Sequence, residues 1–261
     1  MSIHTLFSYL TGLAFFLFAL PMIKKGWGYW KIKQCIVQNS VNQIRDIQPG
    51  LVAFSAQAIP LISRESELPQ LLKTPLALKS ALYYSYRLSE YHRKRGFFFY
   101  SMPIKKGEET CIFCLEDETS QILLDPHNAE MKIGKNFNVD SFLDSDYRGR
   151  IASLLQSEGK SLPLGILKTI IYQENYIEPG DQIFILGTAV QENLPNNEWD
   201  TNDLRPLVIK KQKGQPFIIT DDNKDLFYRL NQNNAYLFFF LGGFFLILSI
   251  MTLCSILLKI D

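Results

Sequence analysis

Two long apolar segments lie at the ends of this 261-residue chain. The first covers residues 6–23, and Ser8 and Thr11 are the only small polar residues inside it. The second covers residues 235–258 and contains no charged side chain. Because a helix rises about 1.5 Å per residue, about 20 apolar residues cross a hydrocarbon core of about 30 Å. The pattern therefore predicts transmembrane helices in residues 1–23 and 235–258, with a short tail at 259–261.

Residues 24–234, between the two apolar segments, have the pattern of one β-rich domain. Short runs of β-branched and aromatic residues alternate with turn-forming residues, which is typical of strands. The predicted strands are 51–58, 82–88, 97–102, 111–115, 121–124, 167–172, 182–190, 207–209 and 217–220. Helical spacing is confined to 147–156, to a short capped segment at 41–47, and to 224–230, which leads into the second span. We predict an all-β or β-rich, barrel-like domain flanked by two transmembrane helices.

Charge is nearly balanced and unevenly placed. The chain has 27 Lys and Arg against 26 Asp and Glu, a net charge of +1, which argues against a dedicated nucleic-acid-binding protein. Lys24, Lys25, Lys31 and Lys33 follow the first span, whereas only the terminal amine precedes it. The positive-inside rule therefore predicts a cytoplasmic domain and external termini. A cleavable signal peptide is the less consistent alternative, because no basic segment precedes the apolar run.

The second span contains a glycine pair, Gly242 and Gly243. Small residues in a membrane helix can let a neighbouring helix approach closely. Such pairs are also common without that role, and we expect a tolerated pair here.

The cysteines and histidines are too few for a two-zinc RING module. Four Cys and three His make seven residues, whereas two tetrahedral sites need about eight ligands. Cys111 and Cys114 form a C-x-x-C, but strand alternation would direct the two sulfurs to opposite faces. We therefore expect buried strand cysteines, with thiol redox chemistry as the alternative. The sequence predicts no metal site and no cofactor.

Two polar runs between predicted strands, residues 116–120 and 210–215, predict hairpin turns. The three acids at 116–118 are expected to stay solvated. Asp125 and His127 would place a carboxylate near an imidazole, yet no nucleophile motif accompanies them. Phosphate-binding glycine motifs are absent from the sequence as well. We predict no catalytic residue.

A basic segment followed by aromatic residues is the candidate surface for a membrane or a partner. Basic groups beside aromatic rings can dock on anionic lipid headgroups. The alternative, which we favour, is a basic hairpin tip that leads into a core strand. The residues of this candidate surface are His92, Arg93, Lys94, Arg95, Phe97 and Phe98.

Four motifs follow one another along the domain. They are G-x-V-x-x-x-A-x-A at 50–58, L-x-T-P-L at 72–76, F-x-L-x-D-x-T at 113–119 with D-P at 125–126, and E-x-x-I-x-P-G-D from 174 with a later glycine. Turn chemistry and close backbone approach explain these residue types, so we expect structural roles. The motif residues are Gly50, Pro75, Asp117, Asp125, Pro126, Pro179, Gly180, Asp181 and Gly187.

In this order, between two spans, the motifs resemble those of the GIDE-domain family, also called Beside-A-Membrane. Ala56 and Ser120 stand where that family commonly has glycine. The resemblance implies the membrane domain of mitochondrial RING-type ubiquitin ligases. Only three residues follow the second span here, so we expect a RING-less, bacterial-type member in the inner membrane. Ligase activity is then not implied for this chain alone.

Two functions from different classes follow from these observations. We expect a membrane scaffold or adaptor whose domain binds a partner protein near the bilayer. The alternative is a ubiquitin-transferase-like function that needs a RING or conjugating partner. The expected partners are the lipid bilayer and an unidentified protein, with no nucleic acid; a homo-oligomer stays open.

Overall fold

The computed structural model describes seven ranges, residues 3–62, 71–93, 99–134, 137–140, 145–156, 168–192 and 204–257. The chain divides into two compact units. The helical unit combines residues 1–40 with 224–261, and the β unit comprises residues 41–223.

Two long helices form the helical unit. Helix α1 runs over Ile3–Gln38 and helix α3 over Lys224–Leu257; the intervening α2, in the β unit, covers Ser145–Gln156. By length and composition, α1 and α3 are both able to cross a membrane. Helix α3 starts at Lys224, which confirms the helix predicted at 224–230 that leads into the second span. Helix α1 continues beyond residue 23, the predicted end of the first span.

Helices α1 and α3 approach each other closely at Gly242. A Cβ atom there would lie 2.6 Å from Ile23 Cγ1 and 3.4 Å from the Ala19 carbonyl oxygen. A Cβ atom added at Gly243 would have no other atom within 4 Å. The expectation of a merely tolerated pair is therefore wrong for Gly242, because any side chain would collide with α1. Ser249 adds a buried hydrogen bond to the Gly12 carbonyl at 2.8 Å.

Thirteen strands occur in the described part of the β unit. They are β1 Gly50–Pro60, β2 Leu72–Lys73, β3 Ser80–Ala81, β4 Tyr83–Arg93, β5 Phe99–Thr110, β6 Phe113–Glu116, β7 Gln121–Leu124, β8 Glu130–Lys132, β9 Phe137–Asp140, β10 Lys168–Ile177, β11 Gln182–Gln191, β12 Leu204–Lys210 and β13 Ile218–Thr220. Each predicted strand has a counterpart among them, and α2 confirms the predicted helix at 147–156. The segment at 41–47 contains only a 3-10 turn, Ile44–Asp46, without a side-chain cap.

Five strands close into a barrel. Their order is β1-β6-β7-β12-β11, and a β1–β11 pairing completes the ring. Only β7 and β12 run parallel, and the other four pairings are antiparallel. This order and these directions are those of the five-stranded OB-fold barrel. The β-rich, barrel-like prediction is confirmed.

The barrel interior is apolar because alternate residues of each strand point inward. Phe54, Phe113, Ile185 and Phe217 are among its fully buried side chains. Burial at this level typically contributes about 1.5–3 kcal/mol for each large apolar side chain. The barrel core therefore holds together strands that are far apart in sequence.

Strands β12 and β13 lie end to end along one edge of β11. Val190 and Ala189 pair with Val208 and Ile209, and Ile185 pairs with Ile219. The prediction of a hairpin at 210–215 is therefore wrong, because both strands pair with β11 rather than with each other. Gly187 faces the junction, where a Cβ would lie 2.8 Å from Ile209 Cγ2 and 2.9 Å from Phe217 Cδ2.

A second, four-stranded sheet has the order β5-β4-β10-β9 and is antiparallel throughout. One face is apolar: Leu88, Tyr172 and Val139 pack there with Ile151 of α2 and with Leu76 from the β2–β3 turn. The opposite face carries mostly polar side chains.

Candidate functional site

Burial alternates along β10, so one face of the four-stranded sheet is covered and the other, the open face, is partly exposed. Ile170, Tyr172, Glu174 and Tyr176 are buried on the covered face, whereas the intervening residues are only half-buried. Period-two alternation of this kind is the pattern of a sheet that has one packed and one solvated face.

A cleft of about 630 Å³ lies on this open face. Two rows of three residues cross β5, β4 and β10 beneath it. The first row is Lys106, Arg87 and Gln173, and the second is Glu108, Ser85 and Asn175, as the strand register aligns them. Ala129 and Met131, from the segment around β8, supply apolar lining. The volume is in the usual range of ligand sites.

The charged groups of the cleft are two cations and one acid. Arg87, Lys106 and Glu108 are exposed, and within the described ranges neither cation forms an ion pair. Asn175 is fixed by a 3.0 Å hydrogen bond from its Nδ2 to the Ile133 carbonyl. Sequence reasoning missed this cleft, although the alternation of polar and aromatic residues along β4 and β10 was a signal for it.

Beneath the covered face, Glu174 joins two of the sequence motifs. Its side chain is fully buried, and its Oε2 accepts the N–H of Ala77 at 2.9 Å. Pro75 lies in the same β2–β3 turn, which Thr74 closes through hydrogen bonds with Lys79. Burial raises the pKa of Glu174 above its usual 4.5 and outweighs the N–H bonds that lower it.

The sequence predicted that Asp117 would stay solvated, but its carboxylate is instead engaged in hydrogen bonds. Its carboxylate accepts the N–H groups of Ile44, Thr119 and Ser120 and the Thr119 hydroxyl, at 2.6 to 3.0 Å. Burial acts to raise the pKa of Asp117, but these donors prevail and lower it below its usual 3.8. Arg205 donates to the Ile44 carbonyl at 2.8 Å, so side chains hold both the N–H and the carbonyl of Ile44, the first residue of the 3-10 turn.

The remaining motif residues build turns. Asp181 Oδ2 accepts the N–H of Glu178 at 2.8 Å beside Pro179, and Gly180 has φ +97°, which favours glycine. Gly50 has φ +133° for the same reason. Asp125 contacts His127 Nδ1 at 2.6 Å, and this exposed pair follows β7 directly, next to the buried Pro126.

The two C-x-x-C cysteines belong to different clusters. Cys114 is buried with Leu61 and Val208, whereas Cys111 packs against the barrel core. Burial raises the pKa of Cys111, and it raises that of Cys114 to about 12. Both thiols are therefore protonated at neutral pH, which disfavours thiolate chemistry.

The candidate basic surface lies largely outside the described part of the chain. Lys94, Arg95, Phe97 and Phe98 lie outside the described residues, as do the side chains of His92 and Arg93, so the candidate basic surface stays a prediction. In the described ranges, no three His, Cys, Asp or Glu side chains come close enough together to hold a metal ion.

The β unit contains a closed five-stranded barrel, and the two apolar helices are long enough to cross a membrane, which fits a membrane-associated domain. A family model described as "GIDE: E3 Ubiquitin ligase" matches residues 84–253, well over half of the chain. The chain therefore belongs to the GIDE family, which confirms the resemblance seen in its motifs. Comparison with curated proteins and with solved structures finds no significant match.

Proposed function

We propose that this chain is a two-span membrane adaptor whose β unit binds a partner protein through the open face of the four-stranded sheet. The observation that carries this proposal is the difference between the two faces of that sheet. One face is covered by α2 and the β2–β3 turn, whereas the other presents exposed charged residues and half-buried polar residues around the cleft. Arg is enriched among the residues that dominate protein–protein binding, and the cleft presents an exposed Arg87 beside the half-buried amides of Gln173 and Asn175.

The location of the β unit between two candidate spans supports a role close to the bilayer. A chain that crosses the membrane before and after a domain holds that domain near the surface and raises the effective concentration of any membrane-bound partner. Lys24 and Lys25, at the end of the predicted first span, favour a cytoplasmic β unit.

Photo-crosslinking in intact membranes tests this proposal. A photoreactive residue replaces Gln173 in the cleft, and in a matched control it replaces Lys213, which is exposed on the 210–215 segment. We expect one protein to be captured from position 173 and not from 213, and the purified protein to bind the purified chain. Equal capture from both positions, or capture of lipid and of this chain alone, would overturn the proposal.

A second candidate is a ubiquitin-transferase-like function that this chain performs together with a RING-bearing or conjugating partner. The family description, E3 Ubiquitin ligase, is the observation that favours it. The same crosslinking experiment separates the candidates. A captured partner with eight Cys and His zinc ligands, and ubiquitin transfer that requires both chains, would support the second. A partner without such ligands, and no transfer, would remove it.

A further inference from the structure

The cleft on the open face combines two cations, one acid, amides and an apolar edge. We propose that it binds an acidic segment of a partner protein, with one carboxylate of that segment paired to Arg87 and Lys106. This inference rests on the proposed function and names the chemistry of the partner that the cleft would accept.

The two cations are placed to share one anion. Arg87 on β4 and Lys106 on β5 are directly paired residues of adjacent antiparallel strands. Residues paired in this way have Cβ atoms about 5 Å apart on one face of the sheet. The Arg guanidinium presents a planar fork that matches a carboxylate, and the Lys ammonium adds a flexible point charge. A carboxylate placed between them is therefore held from two sides.

The charge count favours a carboxylate over a phosphate. Glu108 lies two residues from Lys106 on β5 and also lines the cleft. Two cations and one acid leave a single positive charge, which one carboxylate neutralises. A phosphate monoester carries a charge of about −1.5 to −2 at neutral pH, so it would leave excess negative charge beside Glu108.

The other lining residues suit a peptide chain. The Asn175 amide nitrogen donates to the Ile133 carbonyl, which fixes the orientation of the amide, and the amide oxygen can accept an N–H from a bound segment. Gln173 and Ser85 supply further donors and acceptors, and Met131 with Ala129 can contact an aliphatic side chain. A small-molecule site normally encloses most of its ligand. The exposure of Arg87 and Lys106 therefore favours a segment of a larger partner.

The experiment uses the purified full chain in nanodiscs and fluorescent hexapeptides. The probe is an alternating Glu–Leu peptide, its neutral control is the Gln–Leu peptide, and inorganic phosphate is the competing small anion. We expect charge-dependent binding that weakens with added salt. Arg87→Glu and Lys106→Glu should each lower the affinity at least about tenfold, because charge reversal replaces attraction by repulsion.

Three further variants sharpen the test. Glu108→Gln should raise the affinity about two- to fivefold, since it removes the nearby negative charge. Lys213→Glu, an exposed change outside the cleft, should leave binding unchanged. An Arg87→Glu/Lys106→Glu double variant should prefer a Lys–Leu peptide to the Glu–Leu peptide. All variants are first shown to have the circular dichroism spectrum and melting profile of the unmodified chain.

Several outcomes overturn this inference. They are equal binding of the Glu–Leu and Gln–Leu peptides, unchanged affinity after Arg87→Glu, no binding at millimolar peptide, and full displacement by phosphate at equal concentration. The result is separable from that for the proposed function. If position 173 captures a partner whose binding Arg87→Glu does not weaken, the adaptor function stands and the carboxylate site fails. If no partner is captured, the adaptor function itself fails.

Discussion

The Asp117 carboxylate accepts the N–H of Ile44 at 2.6 Å, and this hydrogen bond joins residues 73 positions apart. It connects the turn between β6 and β7 to the 3-10 turn that precedes β1. Thr119 reinforces the connection, since its hydroxyl accepts the N–H of Arg45 at 3.3 Å and donates to Asp117. The entry of the chain into the barrel is therefore held by a hairpin turn that sequence analysis treated as solvated.

Asp117→Asn should destabilise the β unit. The substitution removes the negative charge that strengthens the hydrogen bonds from several N–H groups. We expect the free energy of unfolding to fall by about 1–3 kcal/mol. Because the pKa of Asp117 is lowered, its stabilising contribution is present above the usual value of 3.8 and is lost as the pH falls through the lowered pKa. Urea unfolding of the full chain in detergent, monitored by the near-ultraviolet circular dichroism of its tyrosines, measures this loss of stability.

Glu118→Gln is the matched control for Asp117, since it changes an exposed acid of the same turn. Its free energy of unfolding should stay within about 0.5 kcal/mol of the unmodified chain. Equal losses for the two variants would show that the turn responds to its net charge rather than to the hydrogen bonds of Asp117.

The pH dependence of stability should report on Glu174. Because burial raises its pKa, the folded state binds this proton more tightly than the unfolded state does. The contribution of Glu174 to stability is therefore fully present below the usual value of 4.5 and is lost as the pH rises through the raised pKa. Glu174→Gln should flatten this fall, whereas the exposed Glu118→Gln should leave it in place. An unchanged profile in Glu174→Gln would assign the pH dependence to other groups.

The positions of most strands could be predicted because strand alternation is a local signal. The end-to-end arrangement of β12 and β13 could not, since the pattern 207–220 fits a hairpin equally well. Gly187 permits this arrangement, because its missing side chain leaves room for Ile209 and Phe217. The cleft was missed for a related reason. Arg87 and Lys106 lie on consecutive strands, but Gln173 comes beside them only through the pairing of β4 with β10, which is distant in sequence.

Gly187→Val should destabilise the barrel by about 1–3 kcal/mol or more, because the new side chain overlaps Ile209 and Phe217. Gly149→Ala is a useful contrast. Gly149 lies in α2 with nothing within 4 Å of the added Cβ, so alanine should be neutral or stabilise by up to about 1 kcal/mol. Thermal unfolding of both variants in detergent checks these signs. A Gly187→Val chain as stable as the unmodified one would contradict the close approach at β11.

Cys111 and Cys114 should react slowly with iodoacetamide at pH 8. Burial raises the pKa of both thiols, to about 12 for Cys114, so little thiolate is present. The reaction rate should rise on unfolding in urea, when both thiols become accessible. Rapid alkylation of the folded chain, or a rate that levels off below pH 7, would support the thiol redox alternative.

Gly242→Leu should weaken the association of α1 with α3, and Gly243→Leu should not. At Gly242 an added Cβ would lie 2.6 Å from Ile23, whereas at Gly243 it would meet nothing within 4 Å. In membranes, small residues allow the close helix contact that van der Waals attraction requires. The two variants add the same apolar side chain at adjacent positions, so lipid solubility and helix propensity are matched.

The measurement for this pair is crosslinking by a short bismaleimide between cysteines at positions 15 and 245, in a chain without its own cysteines. Phe15 and Phe245 stack with ring centroids 6.2 Å apart, so cysteines at these positions should lie within reach of the reagent. Overpacking at Gly242 costs about 1–3 kcal/mol, which should lower the crosslinking yield markedly. The Gly243→Leu chain should retain the full yield. Equal yields in both variants would show that α1 and α3 do not meet at Gly242 in the membrane.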